Sequence, residues 1–190
     1  MSLENRIGIF GGSFDPVHIG HLIVSIRAIE ELELDTLYIV PAYRPPHKSS
    51  AELSPYSLRR QWLEKSFESV QNAVVSDYER ERGDMSYSLY TVRHFASLHL
   101  CKPYLIVGED SYRTLDTWYE YKRLLDEARL VVYPRFSSRE ELNNMEGTVF
   151  LSAPRIEISS TDIRSRVRLK KSVLGMVPDI ILKEVSECYE

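Results

Sequence analysis

The chain has 190 residues, a net charge of −4 and an apolar fraction of 43%, which suits one domain, 1–190, with an ordinary hydrophobic core. The acidic balance argues against the basic face that nucleic-acid binding requires. Apolar runs are too short to span a membrane, and charged residues stand directly before the first predicted strand, so we expect neither a membrane segment nor a signal peptide. Cys101 and Cys188 lie far apart, without the spacing of a metal site or a disulfide framework. We therefore expect a cytoplasmic protein.

Short β-branched and apolar segments alternate along the chain with amphipathic segments of helical length. The predicted strands are 7–10, 36–40, 73–76, 104–107, 129–133 and 149–151. The predicted helices are 57–70, 87–100, 161–170 and 178–189, and another begins near Gly20. This alternation predicts an α/β three-layer sandwich with a mainly parallel central sheet and a mostly helical C-terminal subregion, 158–190. Ligands of such sheets bind at the carboxyl ends of the strands.

The residues that follow the first predicted strand read GGSFDPVHIGH and predict a phosphate site. Two adjacent glycines let the backbone approach a ligand closely. The helix that begins near Gly20 presents N–H groups and a positive dipole end, which bind anions. His18 and His21 can donate hydrogen bonds to phosphate oxygens at the same point. The alternative is an ordinary glycine turn with histidines in loop positions, and the full pattern favours phosphate binding.

A second segment, ISSTDIR at 158–164, places hydroxyl side chains before a predicted helix and Arg164 in its first turn. Taken alone, it is typical of a capped helix, because Ser and Thr are preferred N-caps. The same hydroxyls, with the N–H groups of the helix start and a guanidinium nearby, also suit a triphosphate.

Together the two segments resemble the signatures of the nucleotidyltransferase superfamily, in which paired histidines bind the phosphates of ATP. The resemblance implies a Rossmann-like fold. It also implies catalytic roles for His18, His21 and Arg164. The implied ATP contacts are Gly11, Gly12, Ser13, Phe14, Gly20, Ile158, Ser159 and Ser160.

Two further segments narrow the family. The run PAYRPPHK, which begins at Pro41, is similar to the PPHK loop of bacterial nicotinate mononucleotide adenylyltransferases, and a stiff surface loop is the alternative. The resemblance implies that Arg44, His47 and Lys48 bring positive charge to the phosphates. The run GED at 108–110 matches the GxD motif of that family, which implies ATP binding by Gly108 and Asp110, whereas capping of the next helix is the alternative.

Aromatic residues predict the second substrate. The run TWYEY at 117–121 is similar to a stretch of the family whose tryptophan stacks on nicotinate, and SYS at 86–88 resembles an SYT element with serine in place of threonine. The implied contacts to nicotinate mononucleotide are Ser13, Tyr87, Ser88, Trp118 and Tyr119.

One more position bears on ATP binding. Arg135 matches an arginine near the ATP site of the family, although Phe136-Ser137 replaces the Pro-Gly that commonly follows it.

The resemblance implies adenylyl transfer from ATP to nicotinate mononucleotide in NAD biosynthesis, giving deamido-NAD and pyrophosphate by in-line attack without a covalent intermediate. We expect Mg²⁺ to enter with ATP and no dedicated protein metal ligands. The rivals are phosphopantetheine adenylyltransferase, a preference for nicotinamide mononucleotide, and an inactive nucleotide-binding regulator. The basic run after Arg164 is expected to be a solvated helix face rather than a nucleic-acid site. A homo-oligomer is left open.

Overall fold

A computed structural model describes residues 5–46, 53–134, 147–152 and 154–189. Within these ranges a six-stranded sheet has the order β3-β2-β1-β4-β5-β6, and every neighbouring pair is parallel. The strands are β1 (Ile7–Gly12), β2 (Thr36–Pro41), β3 (Ala73–Val75), β4 (Tyr104–Gly108), β5 (Arg129–Tyr133) and β6 (Val149–Phe150).

Helices connect the strands and follow the last one. They are α1 (Ile19–Glu31), α2 (Tyr56–Phe67), α3 (Tyr78–Arg82), α4 (Ser88–His99), α5 (Glu109–Arg113), α6 (Tyr121–Glu127), α7 (Ser160–Arg168) and α8 (Asp179–Cys188), with a 3₁₀ turn at Leu115–Thr117. None of the helices in the described ranges has both the length and the apolar character that a membrane crossing requires.

Both faces of the sheet are buried, because successive side chains of a strand point to opposite sides. Ile9 of β1 packs with α4, the 3₁₀ turn and α6 on one side. Phe10, the next residue, packs with α1, α2, α7 and α8 on the other side. The structure thus confirms the predicted three-layer, Rossmann-like α/β sandwich with its helical C-terminal part.

The C-terminal helix α8 is attached to α2 by polar contacts as well as by apolar ones. Trp62 Nε1 donates to a Glu184 carboxylate oxygen at 3.1 Å, and Lys65 forms an ion pair with the same carboxylate. Ile181 and Val185 of α8 are buried in the core on this side of the sheet. The position of α8 is therefore set by two kinds of contact.

The strand order reverses at β1. The chain runs outward from β1 through β2 to β3 and then returns to β4 on the other side of β1. A crevice opens at the carboxyl ends of the strands at such a reversal, and this is where ligands bind in open α/β sheets.

The observed strands begin and end within two residues of the predicted bounds. The predicted helix 57–70 was too long, since α2 ends at Phe67 and the Val70 N–H turns back to the Phe67 carbonyl at 2.9 Å. No bounds were predicted for the short helices α3, α5 and α6, because five to seven residues show too little of the helical period.

Candidate active site

The turn between β1 and α1 has an unusual backbone. Phe14 lies in the left-handed region with a φ of 47°, and the Asp15-Pro16 peptide bond is cis. The left-handed conformation of a bulky residue costs on the order of 1 kcal/mol or more. The buried Phe14 ring packs edge-on against Phe10, with ring centroids 5.6 Å apart. Surrounding contacts therefore have to hold this turn.

The two predicted histidines meet at the start of α1. The His18 backbone N–H donates to His21 Nδ1 at 3.1 Å, and the two imidazoles stack with centroids 3.6 Å apart. Because Nδ1 of His21 accepts this bond, the proton of the neutral ring lies on Nε2. His21 thus carries a distal N–H donor. A Cβ at Gly20 would lie 3.0 Å from His18 Nδ1, which is a tight contact, so a larger residue there would require the His18 ring to shift by a few tenths of an ångström.

The first turn of α7 is bound to the β1–α1 turn. Ser160 Oγ donates to the Pro16 carbonyl at 2.8 Å, and Arg164 Nη1 donates to the Asp15 carbonyl at 2.6 Å. Ser159 caps α7 by accepting the Asp162 N–H at 3.1 Å. The structure therefore brings the two predicted motifs together, with the N-termini of α1 and α7 at one place.

Ile158, the remaining residue predicted in the second motif, is partly buried and packs against the core beneath this junction. It precedes the Ser159 cap directly, so its packing helps to hold the entrance of α7 on the sheet.

A cleft of about 570 Å³ opens at the carboxyl ends of β1, β2 and β4. Tyr87 and Tyr119 stack in its wall with ring centroids 4.5 Å apart and an interplanar angle of 24°. The predicted site residues that line the cleft are Gly11, Gly12, Ser13, Tyr87, Ser88, Trp118 and Tyr119. All the residues predicted for the mononucleotide thus lie around one cavity.

Gly108 ends β4 and caps α5. A Cβ built there would meet nothing within 4 Å, and its φ of −74° suits any residue. Neither packing nor backbone conformation in the described residues requires glycine there, so the space beside the strand end is open to a ligand. Asp110 is exposed in the first turn of α5. Neither residue is among those lining the 570 Å³ cleft.

The loop after β2 lies against the start of α4. Arg44 donates its backbone N–H to Ser86 Oγ at 2.9 Å and accepts the Ser86 N–H at 2.9 Å. The Arg44 side chain is exposed. His47, Lys48 and Arg135 lie outside the described residues.

Sequence reasoning missed Arg59, which is only 1% exposed. Its guanidinium donates to the carbonyls of Ser13 at 2.6 Å, Ala42 at 2.9 Å and Ser54 at 3.0 Å, which joins the chain beyond β1 to the chain beyond β2. Burial lowers the pKa of Arg59, against the attraction of the Asp15 carboxylate. A sequence signal existed, because Arg59 is three residues before Trp62 on the buried face of α2.

Glu79 was also missed. It is 8% exposed, lines the cleft, and accepts the Tyr43 N–H and the Thr91 hydroxyl, both at 3.2 Å. Burial raises the pKa of this carboxyl, while hydrogen bonds from Ser86, Tyr43 and Thr91 lower it. Its carboxylate joins α3, α4 and the loop after β2 around the cleft.

Replacing Arg59 with methionine keeps most of the apolar volume but removes the donors of three backbone carbonyls. We expect the free energy of unfolding to fall by about 3 kcal/mol, since buried acceptors lose their partners. Urea denaturation measures this change. Arg60→Met is the matched control, because Arg60 makes partly exposed ion pairs with Glu64 and Asp77 and donates to no backbone carbonyl in the described part of the chain. This variant should cost less than about 1 kcal/mol. Equal losses in both variants would contradict the role assigned to Arg59.

Comparison with known proteins identifies the family of the chain. Residues 9–166 match the cytidylyltransferase-like family model. The probable nicotinate-nucleotide adenylyltransferase of Pseudothermotoga lettingae is 49% identical over 197 residues, which cover 100% of this chain and 99% of the relative. That of Thermotoga maritima is 46% identical over 196 residues, covering 100% and 95%.

Among solved structures, the fold is similar to that of Plasmodium falciparum nicotinic acid mononucleotide adenylyltransferase complexed with NaAD. The TM-score is 0.79 and the identity 20%, over 95% of this chain and 96% of that one. This likeness supports the fold, and the bacterial relatives identify the family. The chain belongs to the nicotinate-nucleotide adenylyltransferase family of nucleotidyltransferases.

Proposed function

We propose that this chain transfers the adenylyl group of ATP to nicotinate mononucleotide, giving deamido-NAD and pyrophosphate, as a cytoplasmic step of NAD synthesis. One observation carries the proposal. The N-termini of α1 and α7 meet at the turn after β1, and Gly11 and Gly12 at the end of β1 line the aromatic cleft together with Ser13 of the turn. A triphosphate site thus adjoins a site for a flat ring.

The reaction needs alignment more than it needs a base. The phosphate of the mononucleotide is already ionised at neutral pH, so its oxygen can attack the α-phosphorus of ATP in line while pyrophosphate leaves from the opposite side. Charge accumulates between the two phosphates, and fixed donors stabilise it. Mg²⁺ enters as part of the substrate MgATP, held mainly by phosphate oxygens and water.

The donors we assign to this charge are His18, His21 and Arg164. For His21 we assign the Nε2–H as the donor, because Nδ1 accepts the His18 N–H. Arg164 donates one N–H of Nη1 to the Asp15 carbonyl and one N–H of Nη2 to the Thr161 hydroxyl oxygen. Each of these nitrogens has a second N–H, which we assign to phosphate oxygens.

The cleft suits a carboxylated pyridine. Trp118 and the Tyr87–Tyr119 pair supply aromatic faces for the ring. The helix α4, which has 12 residues, begins at Ser88 in the cleft wall. A carboxylate is more stable than an amide at the positive end of a helix, so this arrangement favours nicotinate over nicotinamide mononucleotide.

Pyrophosphate release with MgATP tests the proposal directly. The purified chain is given nicotinate mononucleotide, nicotinamide mononucleotide and phosphopantetheine in turn. We expect kcat/KM for the first acceptor to exceed that for the second by about tenfold or more, equivalent to about 1.4 kcal/mol from one charged contact, and no turnover of the third. Absence of turnover with nicotinate mononucleotide would overturn the proposed function.

A His21→Asn variant separates the proposed phosphate role from helix capping. The asparagine carbonyl can still accept the His18 N–H, whereas the distal donor is lost. We expect kcat to fall roughly 100-fold or more, as for other preorganised donors to a transition state, with little change in melting temperature. His99→Asn is the control, because His99, in the last turn of α4, also makes a side-chain hydrogen bond, but to Tyr38 of β2. A kcat near wild type for His21→Asn would refute the assignment.

Trp118→Ala tests the stacking face. We expect KM for nicotinate mononucleotide to rise about tenfold or more, because a buried aromatic contact is worth on the order of 1.4 kcal/mol. KM for ATP should change by less than about threefold on the same scale. Tyr121→Ala, which removes a neighbouring aromatic that is not among the cleft-lining residues, is the control. Equal increases in KM for nicotinate mononucleotide and for ATP would argue against stacking of Trp118 on the pyridine ring.

A further inference from the structure

The far end of the chain contacts the turn after β1. Tyr189 follows α8, and its hydroxyl donates to Asp15 Oδ1 at 2.6 Å across 174 positions of sequence. Asp15 is 1% exposed and Tyr189 is 9% exposed, so this hydrogen bond is shielded from water. Such bonds are stronger in a dry interior than at a surface.

Asp15 connects its side chain to the proposed catalytic donors through its own backbone. Its other carboxylate oxygen, Oδ2, accepts the Ser54 N–H at 3.3 Å. Its carbonyl accepts Arg164 Nη1 at 2.6 Å. A shift of the Asp15 backbone would move the oxygen that orients the Arg164 guanidinium, and the side-chain hydrogen bonds from Tyr189 and Ser54 oppose such a shift.

The turn depends on such external contacts because Phe14 holds a left-handed backbone conformation just before Asp15. Arg59 holds the carbonyl of Ser13 on one side. Tyr189 holds the carboxylate of Asp15 in the centre of the turn. The two contacts come from different helical regions and act on adjacent parts of the same loop.

The position of Tyr189 is itself well determined. Glu184 of α8 binds Trp62 and Lys65 of α2, and the Trp62 ring lies 6.2 Å from the Tyr189 ring between centroids. Ser54 Oγ donates to the Tyr189 hydroxyl oxygen at 3.2 Å. Burial and the bond to Asp15 raise the pKa of Tyr189, so the hydroxyl keeps its proton near neutral pH.

We propose that Tyr189 is a positioning residue for adenylyl transfer, which acts through Asp15 to hold Arg164 and the β1–α1 turn in the geometry that the transition state requires. This inference rests on the proposed function. Tyr189 is not placed in contact with substrate, and its effect should appear in the chemical step rather than in substrate binding.

The test is Tyr189→Phe, which removes the hydroxyl and keeps the ring against Trp62. We expect kcat with ATP and nicotinate mononucleotide to fall about tenfold, which corresponds to about 1.4 kcal/mol in the transition state, and both KM values to change less than about twofold on that scale. If the wild-type protein is active and Tyr189→Phe has the same kcat, the positioning role is overturned while the proposed function stays intact.

Glu184→Gln is the matched control. It weakens the attachment of α8 to α2, while the Tyr189 hydroxyl keeps its own hydrogen bonds to Asp15 and Ser54. It should therefore lower the melting temperature as much as Tyr189→Phe or more while keeping kcat within about twofold. If kcat in the two variants falls in proportion to melting temperature, Tyr189 has only a structural role.

Two further measurements keep the test independent of any one variant. Hydrogen exchange of residues 13–21 should be faster in Tyr189→Phe than in Glu184→Gln, and this readout needs no activity; equal exchange would overturn the inference. In an Asp15→Asn background, Tyr189→Phe should lower kcat by less than about twofold further, because both changes act on one contact. Independent losses would contradict action through Asp15.

Discussion

The hydrogen bond from Arg164 to the Asp15 carbonyl joins the two halves of the site, and the rest of the site depends on it. It closes the first turn of α7 onto the turn after β1, although the residues lie at opposite ends of the sequence. The backbone at Phe14 does not favour that turn by itself. Contacts from α2, α7 and the residue after α8 stabilise the turn. The geometry of the site therefore depends on the whole helical layer on that face of the sheet.

Charge placement follows the same arrangement. A carboxylate beside a proposed triphosphate site would repel its ligand if it faced the ligand. Asp15 instead directs its oxygens towards Tyr189 and Ser54, on the side of the turn where Arg59 lies buried. The acidic side chain thus makes its hydrogen bonds inside the protein rather than towards the proposed anion site.

The strands could be predicted from sequence because each is a short β-branched or apolar run, and most residues of the four central strands are buried. The ends of helices were less certain, as the last turn of the helix predicted at 57–70 shows. The two phosphate motifs could be recognised because their glycines, hydroxyls and histidines are close together in the sequence and act locally, in a turn or at the start of a helix.

Arg59, Glu79 and Tyr189 were not identified, although all three are buried and shape the site. Their partners are distant backbone groups and a distant carboxylate, and a single sequence does not show which segments will meet. An arginine on a helix is ordinarily solvated, and a late tyrosine ordinarily completes a core. Only the packing of α2, α3 and α8 in the folded protein assigns these side chains their partners.

The contact between Tyr189 and Asp15 also bears on when the protein acquires its site. Ribosomes synthesise β1 first, so the turn after it exists long before its last hydrogen-bond donor does. Contacts of such large sequence separation form late in folding. A nascent chain can therefore complete its sheet while residue 189 is still inside the ribosome, and the β1–α1 turn obtains its full set of supports only after that residue has emerged.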